Sequence, residues 1–212
     1  MKRYSEIVAS IIIWFTVISQ FYLMIMNRQT EFLETTVRFF SFFTILTNTL
    51  VALYFSTKAF KLKTFPFTIF NKAGALTAIT TFILIVGLVY QIALRGIWQP
   101  TGFQYIVDEL LHSIIPLLVL IYWYFYVSKL DLKFESVSKW ILYPIFYLLF
   151  VLLRGHFSGF YPYPFLNISN IGYLNAFKNI GLIVLLCLSI LILLVFLGKK
   201  LPRIQNVEHT YN

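Results

Sequence analysis

The chain is short of what soluble folds are built from. Cys187 is its only cysteine, so no intramolecular disulfide forms, and its place midway along the last apolar stretch marks it as packing material. Only 12% of the 212 residues are charged and only three are histidines. No linker, low-complexity run or polar domain separates the apolar stretches. The opening Met1-Lys2-Arg3 before an apolar run resembles a signal peptide, but the run reaches about twenty residues and has no small-x-small cleavage site, which predicts an uncleaved first helix.

What the chain has in abundance is apolar surface. Hydrophobic residues make up 59% of it and the mean hydropathy is +0.81, outside the range of soluble domains. Six apolar stretches stand at 8–26, 39–55, 73–94, 109–127, 140–154 and 176–197. A chain this short has no water-soluble core in which to hide six such segments. The expected fold class is therefore all-α, a single six-helix transmembrane domain over 1–212.

The net charge of +9 would suggest nucleic acid in a soluble protein, but the basic residues lie between the apolar stretches, where they act as topology signals. No nucleic-acid partner is expected. Twelve basic residues, around Lys2, between Lys58 and Lys72, between Lys129 and Lys139 and from Lys199 to Arg203, fall on one side of a six-span layout. Five, Arg28, Arg38, Arg95, Arg154 and Lys178, fall on the other. The positive-inside bias then puts both termini in the cytoplasm, in a cell inner (cytoplasmic) membrane, with the loops around Glu31, Trp98 and Tyr161 outside.

Polar groups inside apolar stretches are costly and usually face protein or a wet cavity. The second stretch carries Ser41, Thr44 and Asn48 at spacings of three and four, which stack on one helical face, with Thr47 beside them. Any one such hydroxyl ordinarily returns to its own backbone or packs a helix interface. The fourth stretch opens with Asp108-Glu109-Leu110-Leu111-His112, whose i to i+4 spacing brings the Asp108 carboxylate within reach of the imidazole. Pro116 leaves the His112 carbonyl without its usual partner, so a kink is expected beside the histidine.

Depth links the two segments. At a rise of about 1.5 Å per residue, Thr44 lies roughly 9 Å beyond Arg38 and His112 roughly 6 Å beyond Asp108, both toward the outer side. A hydroxyl and an imidazole at matching depth are the parts of a nucleophile and base pair. Prolines and aromatics in Tyr161-Pro162-Tyr163-Pro164-Phe165-Leu166 predict a non-helical cap over the outer face. Arg95 and Arg154 either anchor a lipid carboxylate or phosphate or snorkel to the interface. His112 and His156 show no metal-ligand spacing, His209 sits in the tail, and no metal or cofactor is expected.

Three segments resemble the androgen-induced protein family, and more closely its bacterial relatives labelled Pr-six-Pr membrane proteins. They are Phe42-Phe43-Thr44 with its polar stripe, Leu111-His112-Ser113 followed by Pro116, and Gly159-Phe160-Tyr161-Pro162-Tyr163-Pro164-Phe165-Leu166. Animal members of that family are multi-pass threonine hydrolases acting on fatty acid esters of hydroxy fatty acids. The resemblance implies Thr44 as nucleophile, with Thr47 one turn on as the alternative, and His112 as base. This chain has Asp108-Glu109 where animal members tend to have Asn-His.

The leading expectation is a membrane hydrolase of fatty acid or other lipid esters, in which Thr44 attacks, His112 takes the proton and Asp108 orients the ring. Ser41, Thr47, Asn48, Arg95, Arg154, His156, Tyr161, Tyr163 and Phe165 are the candidate substrate contacts, and Asn48 or Thr47 the candidate oxyanion donor. Besides the ester, membrane lipids are the expected partners, and the oligomeric state stays open. The alternative is a lipid- or small-molecule-binding protein or transporter that uses the same polar cavity without chemistry.

Overall fold

The computed structural model describes residues 2–201, and every described element is helical. Arg203 and His209 lie outside the described residues. Seven helices carry the architecture: α1 (Lys2–Met26), α2 (Phe32–Phe39), α3 (Phe43–Phe60), α4 (Ala75–Leu94), α5 (Gly102–Tyr126), α6 (Phe134–Ser158) and α7 (Ile168–Lys200). Five of them are long and apolar enough to cross a membrane, and six if the bent pair α2 and α3 counts as one broken span.

The centre is α4. Apolar around nearly its whole circumference, it is 72% buried along its apolar window, against 17% for α6, and packs against α3, α5 and α7. Its threonines obey the ordinary rule for hydroxyls in apolar helices. Thr80 and Thr81 donate to the carbonyls of Leu76 and Thr77 at 2.8 and 2.9 Å, and the Thr77 hydroxyl accepts from the Trp123 indole at 3.1 Å. The closest pairing of long helices, α1 with α3, is pinned by Ser10 and Ser56, whose hydroxyls meet at 2.8 Å, and by the Trp14 indole donating to Ser56 at 3.0 Å. The outward faces of α6 and α7 leave Phe146, Leu149, Leu153, Leu182, Leu185 and Ile192 exposed, as apolar side chains are where lipid is the solvent.

Several expected boundaries move. The second stretch is not one helix over 39–55: the chain breaks at Phe40-Ser41-Phe42 and turns by 72° between α2 and α3. Ser41 consequently leaves the face it was expected to share with Thr44 and Asn48. Its hydroxyl donates to the Val37 carbonyl at 2.7 Å, and its own carbonyl accepts from the Tyr147 phenol at 3.0 Å. The fourth helix begins at Gly102 rather than near residue 109, and the fifth, expected to be short, runs from Phe134 to Ser158. The helix that carries Pro116 continues without a break from Gly102 to Tyr126. Immediately before the proline lies a π turn at Leu110–Ile114, in which the Ile115 N–H donates to the Leu110 carbonyl, five residues back. A second π turn, Tyr90–Leu94, ends α4, with the Arg95 N–H donating to the Tyr90 carbonyl at 2.8 Å.

Between α6 and α7 the proline-rich segment folds back on the bundle, as a cap does. Gly159 takes the left-handed conformation at φ 69° that stops α6. Phe160 lies under two guanidinium groups, Arg38 and Arg154, at 4.6 and 4.7 Å from its ring centre, and both arginines bond the same Glu34 oxygen at 2.7 Å. Tyr161 packs so closely on Gly155 that a Cβ there would come within 2.2 Å of the ring. Gly155→Ala is therefore expected to lower stability by about 1–3 kcal/mol through overpacking. Gly96→Ala, where a Cβ meets nothing within 4 Å, is expected to leave it unchanged. Thermal unfolding of the two variants in one detergent measures the difference, and equal midpoints would discard the contact.

Candidate functional site

The break before α3 has a consequence for Thr44. It places the residue in the first turn of a helix, where backbone N–H groups lack intrahelical partners. The Thr44 N–H donates to the Tyr163 hydroxyl at 3.3 Å, and the Thr44 hydroxyl lies 3.4 Å from the same phenol oxygen and 3.4 Å from His112 Nε2. Two helices and the cap thus converge on one side chain.

The imidazole is held on its other edge. His112 Nδ1 lies 2.9 Å from the Asp108 backbone carbonyl and 3.3 Å from Asp108 Oδ1. Both neighbours accept, so Nδ1 carries a hydrogen, and in the neutral ring Nε2 presents its lone pair to the Thr44 hydroxyl. The second Asp108 oxygen accepts from the Tyr90 phenol. Tyr90 also stacks its ring on the imidazole, with centroids 4.0 Å apart and planes within 12°. With 11% and 6% of their side chains exposed, His112 and Asp108 keep these positions out of bulk water. Tyr90 and His112 each sit in a π turn, a backbone irregularity that recurs at functional sites.

Thr44, Tyr90, Asp108, His112 and Tyr163 share the wall of a cavity of about 560 Å³. The rest of the wall is mainly apolar, with Leu23, Met24, Phe39, Phe42, Ile45 and Leu111 among its members and Gln20, Asn27 and Gln104 as polar exceptions. The arrangement can do acyl-transfer chemistry: a hydroxyl, a base with a fixed tautomer, an orienting carboxylate and an apolar chamber beside them.

Of the expected contacts, Tyr163 alone joins the three catalytic candidates on the cavity wall. Thr47 turns to the Tyr143 phenol at 2.9 Å, and Asn48 spends its amide on the carbonyls of Thr44 and Leu111 at 2.8 and 3.5 Å. Neither lines the cavity: Thr47 is directed at α6 and Asn48 at the π turn of α5. Phe165 stacks behind Tyr163 at 5.1 Å, and Tyr161 faces Gly155. Arg95 bonds Gln91 and Glu109, Arg154 bonds Glu34, and His156 lies exposed against Phe157. Among the described residues no three His, Cys, Asp or Glu side chains gather as metal ligands. Tyr90 is the member that sequence reasoning missed: a search for charged groups within apolar stretches passes over a phenol five residues before Arg95.

No protein-family model, curated protein or solved structure matches the chain.

Proposed function

We propose that the chain is an integral membrane hydrolase of lipid esters, with Thr44 as nucleophile, His112 as general base and Asp108 as the group that orients it. The observation that carries this reading is the line from Thr44 through His112 to Asp108 on the wall of an apolar cavity. Thr44 attacks the ester carbonyl while its proton passes to His112 Nε2. The tetrahedral intermediate then expels the alcohol, which takes that proton, and water hydrolyses the acyl-threonine by the same exchange. A mainly apolar chamber favours a fatty acyl group over a polar acid.

In this reading α2 and α3 form one broken span, giving six, with both termini in the cytoplasm of an inner (cytoplasmic) membrane and the cavity toward the outer face. The stronger basic charge at the far ends of the helices supports that orientation. Irregular backbone at depth is tolerated where it is buried in protein or lines a cavity, as the α2–α3 break and the π turns do.

The test uses the purified full chain in detergent, an alkyl fluorophosphonate and a panel of long-chain fatty acid esters. The expected result is a covalent adduct that peptide mass spectrometry locates on Thr44, together with released fatty acid. A folded chain that forms no adduct and releases no acid, but copurifies with lipid, would instead make this a binding cavity.

A further inference from the structure

We infer that Tyr163 is the oxyanion donor of this site, its phenol O–H hydrogen-bonding the ester carbonyl oxygen as that oxygen gains charge. The inference rests on the hydrolase reading above and adds a fourth chemical role to it.

Among the described residues Tyr163 is the one phenol within hydrogen-bonding distance of Thr44, 3.4 Å from the hydroxyl and 3.3 Å from the backbone nitrogen. Any carbonyl carbon that bonds to Thr44 Oγ1 carries its oxygen into the neighbourhood of that phenol. Donors at such a site work when they lie about 2.7–3.1 Å from the developing oxyanion rather than from the resting carbonyl.

The other donors nearby are committed. Thr47 is bonded to Tyr143, the Asn48 amide to two backbone carbonyls, the Tyr147 phenol to the Ser41 carbonyl and the Tyr90 phenol to Asp108. Tyr163 differs in where its proton points: its oxygen accepts from the Thr44 N–H, and with the Thr44 hydroxyl directed at His112 its O–H faces Thr44 Oγ1, the atom beside which the oxyanion forms. Accepting from an N–H in the first turn of α3 also sets the phenol at the positive end of a helix, which sharpens it as a donor.

The donor is also fixed in advance. Tyr163 stands between Pro162 and Pro164, stacks on Phe165 with planes within 5°, and takes the edge of Phe42 at 5.8 Å. Only 8% of it is exposed. A donor that need not reorganise during the reaction contributes most to the transition state.

Thr44 Oγ1 forms a bond to the carbonyl carbon, its proton goes to His112 Nε2, and the C=O π pair moves onto oxygen, where the Tyr163 O–H holds it without surrendering its proton. On collapse that pair re-forms C=O, the bond to the alcohol oxygen breaks, and His112 returns the proton to the departing alkoxide.

Two substitutions test the inference on the full chain. Tyr163→Phe keeps the ring and its packing and is expected to lower kcat by about 10²- to 10³-fold with KM nearly unchanged. Should that variant fold poorly, ring-fluorinated tyrosines placed at 163 alone retain the shape, and kcat is expected to change in step with phenol acidity. A kcat indifferent to both changes, in a protein whose Thr44→Ala variant is dead, overturns the Tyr163 role and leaves the hydrolase reading intact. No turnover or labelling in the wild-type chain removes both.

Discussion

Thr44→Ala is expected to reduce ester turnover by about 10³-fold or more, because the nucleophile is the one member of such a set whose loss leaves no bond to form. The fold should survive. Thr44 sits in the first turn of α3, and the Asn48 amide bonds its backbone carbonyl, which alanine also supplies. Thr44→Ser separates chemistry from packing: it restores the hydroxyl but loses the γ-methyl that stiffens χ1, so turnover should return at a reduced level. The comparison needs kcat, KM and thermal midpoint for all three proteins. Wild-type turnover in a folded Thr44→Ala variant would remove the residue from the mechanism and shift attention to Thr47.

His112→Gln is expected to cost about 10²- to 10⁴-fold in kcat, the usual worth of a positioned general base. Glutamine can occupy much of the same space and still bond the Asp108 backbone, but it takes no proton from Thr44. Phosphonate labelling of Thr44 should slow in parallel, since that reaction uses the same base. The stack on Tyr90 is lost as well, so the measurement pairs kcat with the thermal midpoint. A folded variant with full kcat would show that the imidazole is a packing group.

Much of this arrangement is written in local patterns, and some of it is not. The apolar stretches give the long helices because solvation in lipid depends on composition and length. The Asp108 and His112 pairing is legible because i and i+4 side chains meet on any helix. Tyr163 stands out through its flanking prolines. The break at Phe40-Ser41-Phe42 is different: no proline or glycine marks it, and it arises from tertiary contacts, with Phe39 against Phe21 at 4.9 Å and the Ser41 carbonyl taken by Tyr147. Reading through that break put Ser41 on one face with Thr44 and Asn48, whereas its hydroxyl bonds the Val37 carbonyl on the far side of the turn. Tyr90 escaped notice because its partner, Asp108, is eighteen residues away and meets it only once α4 and α5 pack.

The paired π turns have a consequence that is angular rather than chemical. An α-helix advances about 100° per residue, so each extra residue accommodated in a wide turn shifts the phase of everything beyond it by roughly that angle. In α5 the offset falls within the stretch that carries His112, between Asp108 and Pro116, and in α4 it falls at Tyr90. Removing one residue from either stretch would keep the hydropathy of the span and restore regular pairing, yet rotate one half of the helix out of register with the other. Side chains that line the cavity would then turn by about a quarter of the circumference away from it along part of the span. A chain that matches this one in span number and composition therefore inherits its barrel of helices but not its site, unless it also preserves the residue count across these two turns.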